Sequence, residues 1–136
     1  VAMEAELDGL PGNGTPADAA RARLRAVGRA YLRFAREETG LFRTAFGVPG
    51  SAPAAANPET AGNSGLDPFQ LLGAVLDRMV AAGVLAAARR PGAEYLAWSA
   101  DHGLAMLVIE GPLRALARAQ IAVIEDHLLA MVEQGL

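Results

Sequence analysis

Apolar side chains recur every three or four residues along most of this chain, and that spacing predicts helices rather than strands. Strong helix formers such as alanine, leucine and arginine dominate, whereas β-branched residues seldom cluster or alternate. Periodic segments are divided by stretches rich in glycine and proline. The pattern therefore predicts an all-α bundle of about five helices.

The first helix is marked at both ends by local signals. Thr15 is suited to the N-cap and Pro16 to the first helical position, while Gly40 is a natural place for the helix to end. The apolar positions between these ends recur at intervals of three and four, and we expect them to form one buried stripe: Leu24, Val27, Tyr31 and Phe34.

Arginines line the opposite face of this helix at successive turns: Arg21, Arg25, Arg29, Arg33 and Arg36. Such a ridge is typical either of a phosphate contact or of a solvated face, and we expect the solvated face. The acids that follow in sequence, Glu37 and Glu38, lie only at the C-terminal end of the helix. We therefore expect the ridge to be at most half neutralised.

A short second helix is predicted from Leu41 to Gly47, with Phe42 and Phe46 on one face. Residues 48–66 are rich in proline, glycine, asparagine and serine and contain almost no large side chain. This composition predicts a long flexible connection. Pro68 then suits the first position of a third helix, whose pattern fades before Gly92.

The last two helices meet at a glycine and a proline. Gly111 ends the fourth helix, and Pro112 begins the fifth, which is predicted to extend to about Gln134. Residues 104–109 are apolar nearly all round, and the fifth helix has a wider apolar face than one core needs. We therefore expect both helices to pair across a two-fold axis in a homodimer, through Leu107, Leu113, Leu116, Gln120, Ile121, Ile124, Leu128 and Met131.

Length and composition narrow the class of protein. The 136 residues suit a single domain, which we place at residues 16–136, after an incoming helix end and turn at residues 1–15. The net charge of −3 gives no overall cationic field for nucleic acid. The chain has no cysteine, no secretory signal and no apolar run near the roughly 20 residues that span a bilayer. We expect a soluble, cytoplasmic protein that does not bind membranes.

Candidate catalytic groups are few. His102 has no second histidine at a metal-ligand spacing, and Asp101 lies two helical turns from Glu94, which is too far for a carboxylate pair. His127 also lacks partners and is expected at a surface or interface. We therefore expect no enzymatic activity, no metal and no cofactor.

The aromatic residues suggest a pocket instead. Trp98, His102 and Met106 recur every four residues along the fourth helix, and other helices carry more rings than a tightly packed alanine and leucine bundle requires. Apolar walls with a few polar tips suit a small organic ligand. The predicted lining is Tyr31, Phe34, Phe42, Phe46, Phe69, Leu72, Leu76, Trp98, His102 and Met106. The sequence leaves open whether His102 contacts the ligand or makes a structural hydrogen bond.

Three stretches in a fixed order carry a resemblance to a known family: "AYLRFAREETGLFRTAFG" from Ala30, "AAGVL" from Ala81, and "AWSADHGLAMLVIEG" with Trp98, His102 and Gly103. Together they resemble the C-terminal domain of TetR-family transcriptional regulators, in the subgroup named for its Trp, His, Gly signature. The similarity extends from about Arg21 to Glu133.

The resemblance implies a regulatory domain that binds a small hydrophobic effector and dimerises through its last two helices. A helix-turn-helix domain that binds operator DNA would precede Val1, and Val1 to Leu10 would end the helix that links the two domains. In the family, the effector moves this helix, so that two recognition helices no longer match half-sites about 34 Å apart. We expect repression, with Gly103 allowing a neighbouring helix to approach closely.

Two other functions remain open from the sequence. One is a helical adaptor domain that has no ligand cavity and binds a protein through its last helix. The other is a small helical enzyme that uses His102. The identity of the effector, the operator sequence and the choice between repression and activation are also left open.

Overall fold

The computed structural model describes residues 14–46 and 68–136. Within these ranges the chain forms five α-helices and no strand: α1 (Pro16–Glu37), α2 (Thr39–Phe46), α3 (Pro68–Ala81), α4 (Ala93–Ile109) and α5 (Arg118–Gly135). Two 3₁₀ turns lie at Ala87–Arg89 and Pro112–Ala115. The prediction of an all-α bundle of about five helices is confirmed. The predicted linking helix end at residues 1–10 and the connection at residues 48–66 lie outside the described residues.

The start of α1 follows from local chemistry. Thr15 Oγ1 accepts a hydrogen bond from the Asp18 backbone N–H at 3.1 Å, and the Asp18 carboxylate accepts one from the Thr15 N–H at 3.5 Å. This capping box satisfies backbone donors that have no partner inside the helix. Pro16 occupies the first position, as predicted.

The end of α1 differs from the prediction. The helix stops at Glu37 rather than at Gly40, and α2 begins at Thr39, so that Gly40 lies inside α2. The Thr39 hydroxyl donates to the Ala35 carbonyl oxygen at 2.9 Å. A side chain therefore satisfies an orphan carbonyl at the end of α1, and no glycine is needed there.

α1 packs against each of the other four helices of the described chain, and two apolar clusters form along it. The α3 cluster contains Ala20, Leu24, Val27, Leu72, Val75, Leu76, Met79, Leu85, Ala93, Ala97 and Val132. The α2 cluster contains Tyr31, Leu32, Ala35, Phe42, Leu104, Ala105 and Leu129. Three of the four positions predicted for the α1 stripe are buried in these clusters, and Phe34 is half-buried beside the second.

Gly28 lies between the two clusters, where α4 and α5 both come close to α1. A Cβ atom added at Gly28 would collide with the Leu129 side chain and would lie 3.4 Å from Asp101 Oδ2. Close packing, and not a turn, therefore favours glycine here, because any larger side chain would force Leu129 to move.

The predicted start of the last helix at Pro112 is wrong. Residues 112–115 form a 3₁₀ turn, Leu116 and Ala117 have extended ψ angles of 147° and 148°, and α5 begins only at Arg118. The Gln120 side chain accepts a hydrogen bond from the Ala117 N–H at 3.1 Å, which caps the helix at this later point. Leu113 therefore precedes α5 and does not share its face.

The arginine face of α1 packs beside acids of α5, and we call this set of ion pairs the α1–α5 seam. Its pairs are Arg21 and Arg25 with Glu133, Arg29 with Asp126, and Arg36 with Glu125. The Arg29 and Asp126 side chains are exposed, as a solvated face requires, whereas Glu125 and Glu133 are largely covered. The expectation of half neutralisation is wrong, because it counted only acids close in sequence. The partners of Arg25 and Arg36 stand 108 and 89 residues away.

Candidate functional site

Aromatic side chains from α1, α2, α3 and α4 meet around His102. The Tyr31 and Phe42 ring centroids lie 5.5 Å apart, and the Phe42 and His102 rings stack at 5.5 Å. Trp98 contacts His102 edge-on at 6.2 Å and contacts Phe69 at the same distance. Such edge-to-face and stacked contacts are favourable at these separations. We call this set the aromatic cluster: Tyr31, Phe34, Phe42, Phe69, Tyr95, Trp98 and His102.

The aromatic cluster runs from the core to the surface. Tyr31 and Phe42 are buried, Trp98 and His102 are half-buried, and Tyr95 at the start of α4 is exposed. The rings contact one another in sequence along this path, so each ring is held in place by its neighbours. Tyr95 therefore marks the surface end of the cluster, and Tyr31 and Phe42 mark its core end.

Two hydrogen bonds connect the polar tips of the cluster. Trp98 Nε1–H donates to the Tyr31 hydroxyl oxygen at 3.1 Å, and that oxygen lies 2.6 Å from His102 Nδ1. Because an indole nitrogen can only donate, the Tyr31 oxygen is the acceptor in the first bond. A phenol is a stronger donor than a neutral imidazole N–H, which favours the Tyr31 hydroxyl as the donor to Nδ1. In that arrangement the ring proton of His102 resides on Nε2.

Burial determines the charge states of these groups. It lowers the pKa of His102 below its ordinary value and raises the pKa of the Tyr31 phenol, which Asp101 raises further. At neutral pH the phenol therefore keeps its proton and the imidazole is uncharged. This state agrees with the hydrogen-bond chain from Trp98 through Tyr31 to His102.

Asp101 is the charged residue that the sequence analysis left without a role. It is 8% exposed, and its Oδ1 atom has no hydrogen-bond partner within residues 14–46 and 68–136. Burial raises its pKa to about 7. One signal in the sequence could have found it: Asp101 lies four residues from both Ala97 and Ala105, and all three occupy the buried face of α4.

The other predicted lining residues have different positions. Phe34 contacts Phe42 at 6.3 Å, and Met106 packs against the α2 cluster. Leu72 and Leu76 are buried in the α3 cluster. The side chain of Phe46 lies outside the described part of the structure.

The predicted dimer residues divide into two groups. Ile121 is buried within the chain, while Leu113, Ile124 and Leu128 are partly buried against its clusters. Leu107, Gln120 and Met131 are exposed, and so is Val123 on the same helix as Gln120 and Met131. Leu116 is half-buried. The apolar pattern of the last helix thus combined an internal face with a second, outward face.

Two further features differ from or extend the sequence analysis. A Cβ atom at Gly103 would meet no atom within 4 Å in the described part of the chain, so the expected close approach of a neighbouring helix is not made there. His127 is exposed on α5, as expected. The described residues contain no group of three potential ligands that could hold a metal ion, and none of their helices is long and apolar enough to cross a membrane.

Comparison with known proteins supports the family that the motifs suggested. The family model described as "Tetracyclin repressor-like, C-terminal domain" matches residues 24–132, which extend from α1 into the last turns of α5. Neither the curated proteins nor the solved structures gave a match. Membership of the narrower Trp, His, Gly subgroup stays a prediction. The chain belongs to the tetracycline repressor-like C-terminal domain family and is a regulatory domain of a TetR-like regulator.

Proposed function

We propose that this domain binds a small hydrophobic effector at the aromatic cluster and thereby uncouples an upstream helix-turn-helix domain from operator DNA. The observation that carries the proposal is the aromatic cluster itself, in which four helices bring ring faces and three polar tips to one place. Apolar walls with a few directed polar groups are the usual construction of a small-molecule site. The protein would act where its operator DNA lies, in the cytoplasm.

The position of α1 supports a route from ligand to DNA. Tyr31 belongs to α1, which contacts every other described helix and begins at Pro16, next to the segment proposed to lead to the DNA-binding domain. A ligand that displaces Tyr31 relative to Trp98 on α4 would shift α1 within the bundle. Only a small shift of α1 is needed to release the DNA, because the two recognition helices of a dimer must fit half-sites about 34 Å apart at the same time. A preference of about 2.7 kcal/mol for the DNA-incompetent state changes occupancy roughly a hundredfold.

The exposed apolar side chains of α4 and α5 support a homodimer. Leu107, Val123 and Met131 are 44%, 55% and 60% exposed, although all three are large and apolar. On α5, the exposed positions 120, 123, 127 and 131 recur at helical spacing and form one outward stripe. We therefore revise the proposed dimer contact to this stripe together with Leu107, and we leave Ile121 to the core of each subunit.

Light scattering tests the dimer. The chain is expected to show twice its own mass at micromolar concentration, and a Val123→Glu, Met131→Glu double variant is expected to show the single mass. Leu96→Glu is the matched control, because Leu96 is 63% exposed on α4 and is not part of the proposed contact. A single mass for the unmodified chain would contradict the dimer.

A thermal-shift screen against hydrophobic metabolites tests effector binding. A compound present at 100 times its Kd adds about 2.7 kcal/mol of stability, which corresponds to a rise in Tm of about 10 °C for a domain of this size. Phe69→Ala is expected to reduce the shift, because the Phe69 ring packs against Trp98, whereas Leu96→Ala is not. Absence of any shift across a broad panel would favour an adaptor domain instead.

The uncoupling step has its own test. A compound found in the screen is expected to release the full-length regulator from its promoter DNA in a gel-shift assay. Binding of that compound without release would contradict the uncoupling while leaving the binding site in place.

A further inference from the structure

We propose that the effector is an uncharged apolar compound with a carbonyl oxygen, and that this oxygen accepts a hydrogen bond from Nε2–H of His102. The inference rests on the proposed function, since it names the chemistry of the ligand at the aromatic cluster. It depends on three properties of His102: its tautomer, its accessible edge and its charge.

The tautomer follows from the two hydrogen bonds behind His102. Trp98 donates to the Tyr31 oxygen at 3.1 Å, and that oxygen lies 2.6 Å from Nδ1. We assign the Tyr31 hydroxyl as the donor to Nδ1, because a phenol is a stronger donor than a neutral imidazole N–H. Nδ1 is then an acceptor, and Nε2 carries the proton.

The Nε2 edge is available to a ligand. Nε2 forms no hydrogen bond within the described ranges, and it is not among the sealed polar atoms there, which are Arg36 Nε and Asp101 Oδ1. The ring is also fixed in direction, because Phe42 stacks on it and Trp98 contacts it edge-on. An N–H group with a fixed direction, among apolar rings, selects a ligand oxygen at one position.

Charge selects among the possible acceptors. A neutral Nε2–H can donate but cannot accept, so it offers nothing to an ammonium group. Burying an unpaired carboxylate among apolar rings is also costly, and a neutral imidazole brings no positive charge to offset that cost. An uncharged carbonyl oxygen is the acceptor that fits this donor.

A matched set of four probes tests the inference: 4-phenylbutan-2-one, 4-phenylbutylamine, 4-phenylbutyrate and butylbenzene, each titrated calorimetrically into the unmodified chain. The ketone is expected to bind about tenfold more tightly than butylbenzene, the gain of one hydrogen bond, and more tightly than both charged probes. Equal binding of all four would overturn the inference and leave the proposed effector site standing. Tightest binding of the amine would also overturn it and would assign recognition to Asp101. Failure of all four to bind would overturn both proposals.

Variants of His102 separate recognition from structure. His102→Leu is expected to weaken ketone binding about tenfold and to leave butylbenzene unchanged, because only the ketone uses the donor. His102→Gln keeps an N–H donor and is expected to restore part of the ketone preference. An equal loss for ketone and butylbenzene in both variants would indicate a structural role only and would overturn the inference.

The tautomer can be measured without any ligand. In the ¹⁵N-histidine spectrum of the unmodified chain at pH 7, His102 is expected to show a protonated Nε2 and an unprotonated Nδ1, and His102→Gln assigns the signals because the chain has only two histidines. Tyr31→Phe is expected to release the preference for this tautomer. A proton on Nδ1 in the unmodified chain would overturn the inference whatever the probes do.

Discussion

Two polar regions border α1, and their groups are satisfied in different ways. In the α1–α5 seam, four arginines lie beside acids of α5, and the outermost of these pairs remain in contact with solvent. In the aromatic cluster, the polar groups are neutral at pH 7 and bond to one another in a chain from Trp98 to His102. In the seam the charges are matched by charges, although Arg36 Nε has no hydrogen-bond partner in the described residues, whereas the hydrogen-bond chain of the cluster ends at a donor, His102 Nε2, that is not sealed from outside.

This difference between the seam and the aromatic cluster indicates which of the two regions can bind a ligand. Ion pairs near a surface contribute about 0 to 1 kcal/mol each, and those of the seam hold α1 and α5 in register through charges that match one another. A buried carboxyl such as Asp101 is costly to leave unmatched, whereas the Nε2–H of His102 is not sealed and can bond to a ligand. The seam therefore stabilises the bundle, and the aromatic cluster is the region that a ligand can complete.

The largest effect is expected at Gly28, where α1 packs closely against α4 and α5 between the two regions. Gly28→Val places a side chain in the space of Leu129 and beside Asp101, and it is expected to lower the free energy of unfolding by about 3 kcal/mol. Urea denaturation measures this loss. Gly103→Ala is the matched control, since nothing in the described chain lies within 4 Å of its new Cβ and a helical alanine gains up to about 1 kcal/mol. Equal effects at both glycines would contradict the close contact at Gly28.

Asp101 should make the stability of the domain depend on pH in the direction opposite to that of a salt-bridged acid. Its pKa in the folded protein, about 7, lies above its ordinary value of 3.8, so the folded state holds the proton more tightly. The stability that Asp101 contributes is then greatest below pH 4, falls as the pH rises towards 7 and levels off above it. Asp101→Asn removes the ionisable group and is expected to be more stable than the unmodified chain at pH 8 by about 2 kcal/mol.

Denaturant titrations of both proteins between pH 4 and pH 8 measure this difference. Between pH 4 and pH 8, the free energy of unfolding of Asp101→Asn is expected to lack the fall that the ionisation of Asp101 causes in the unmodified chain. Parallel profiles for the two proteins would contradict the burial of an unpaired carboxyl.

Tyr31→Phe breaks the hydrogen-bond chain of the cluster while it keeps the ring. The Trp98 N–H loses its acceptor and His102 Nδ1 loses its donor, so we expect a loss of about 1.5 kcal/mol in the free energy of unfolding. The pKa of His102 can be followed by NMR in the same variant. Unchanged stability would mean that the chain of bonds contributes little, and the comparison with the seam would lose its basis.

The smallest effects are expected in the seam. Glu125→Gln removes the charge that faces Arg36, a largely covered pair, and is expected to cost about 1 kcal/mol. Asp126→Asn removes the exposed partner of Arg29 and is expected to change stability by less than about 0.5 kcal/mol. Measurement at low and high salt sharpens the test, because screening should reduce the Asp126 effect further. A larger cost at Asp126 than at Glu125 would contradict this ranking.

Part of the site could be predicted from sequence, because helical spacing alone placed Trp98 and His102 on one stripe. Their hydrogen bonds with Tyr31 could not be predicted, because His102 and Trp98 lie 71 and 67 positions from Tyr31 in the sequence. Leu72 and Leu76 share the apolar character of the other predicted lining residues, but their helix directs them into the α3 cluster. Hydrophobicity predicts which side chains are buried, but it does not predict which other side chains they contact.

Local patterns predict that helices form, that Thr15 caps the first of them and which family the chain belongs to, because each depends on neighbours within a few residues or on motifs in order. The packing of the helices is needed to explain which acids pair with the α1 arginines, why Gly28 is a glycine and how deeply Asp101 is buried. These features arise when α1, α4 and α5 pack side by side. Their physical cause is the exclusion of water and the meeting of distant side chains, which no local pattern records.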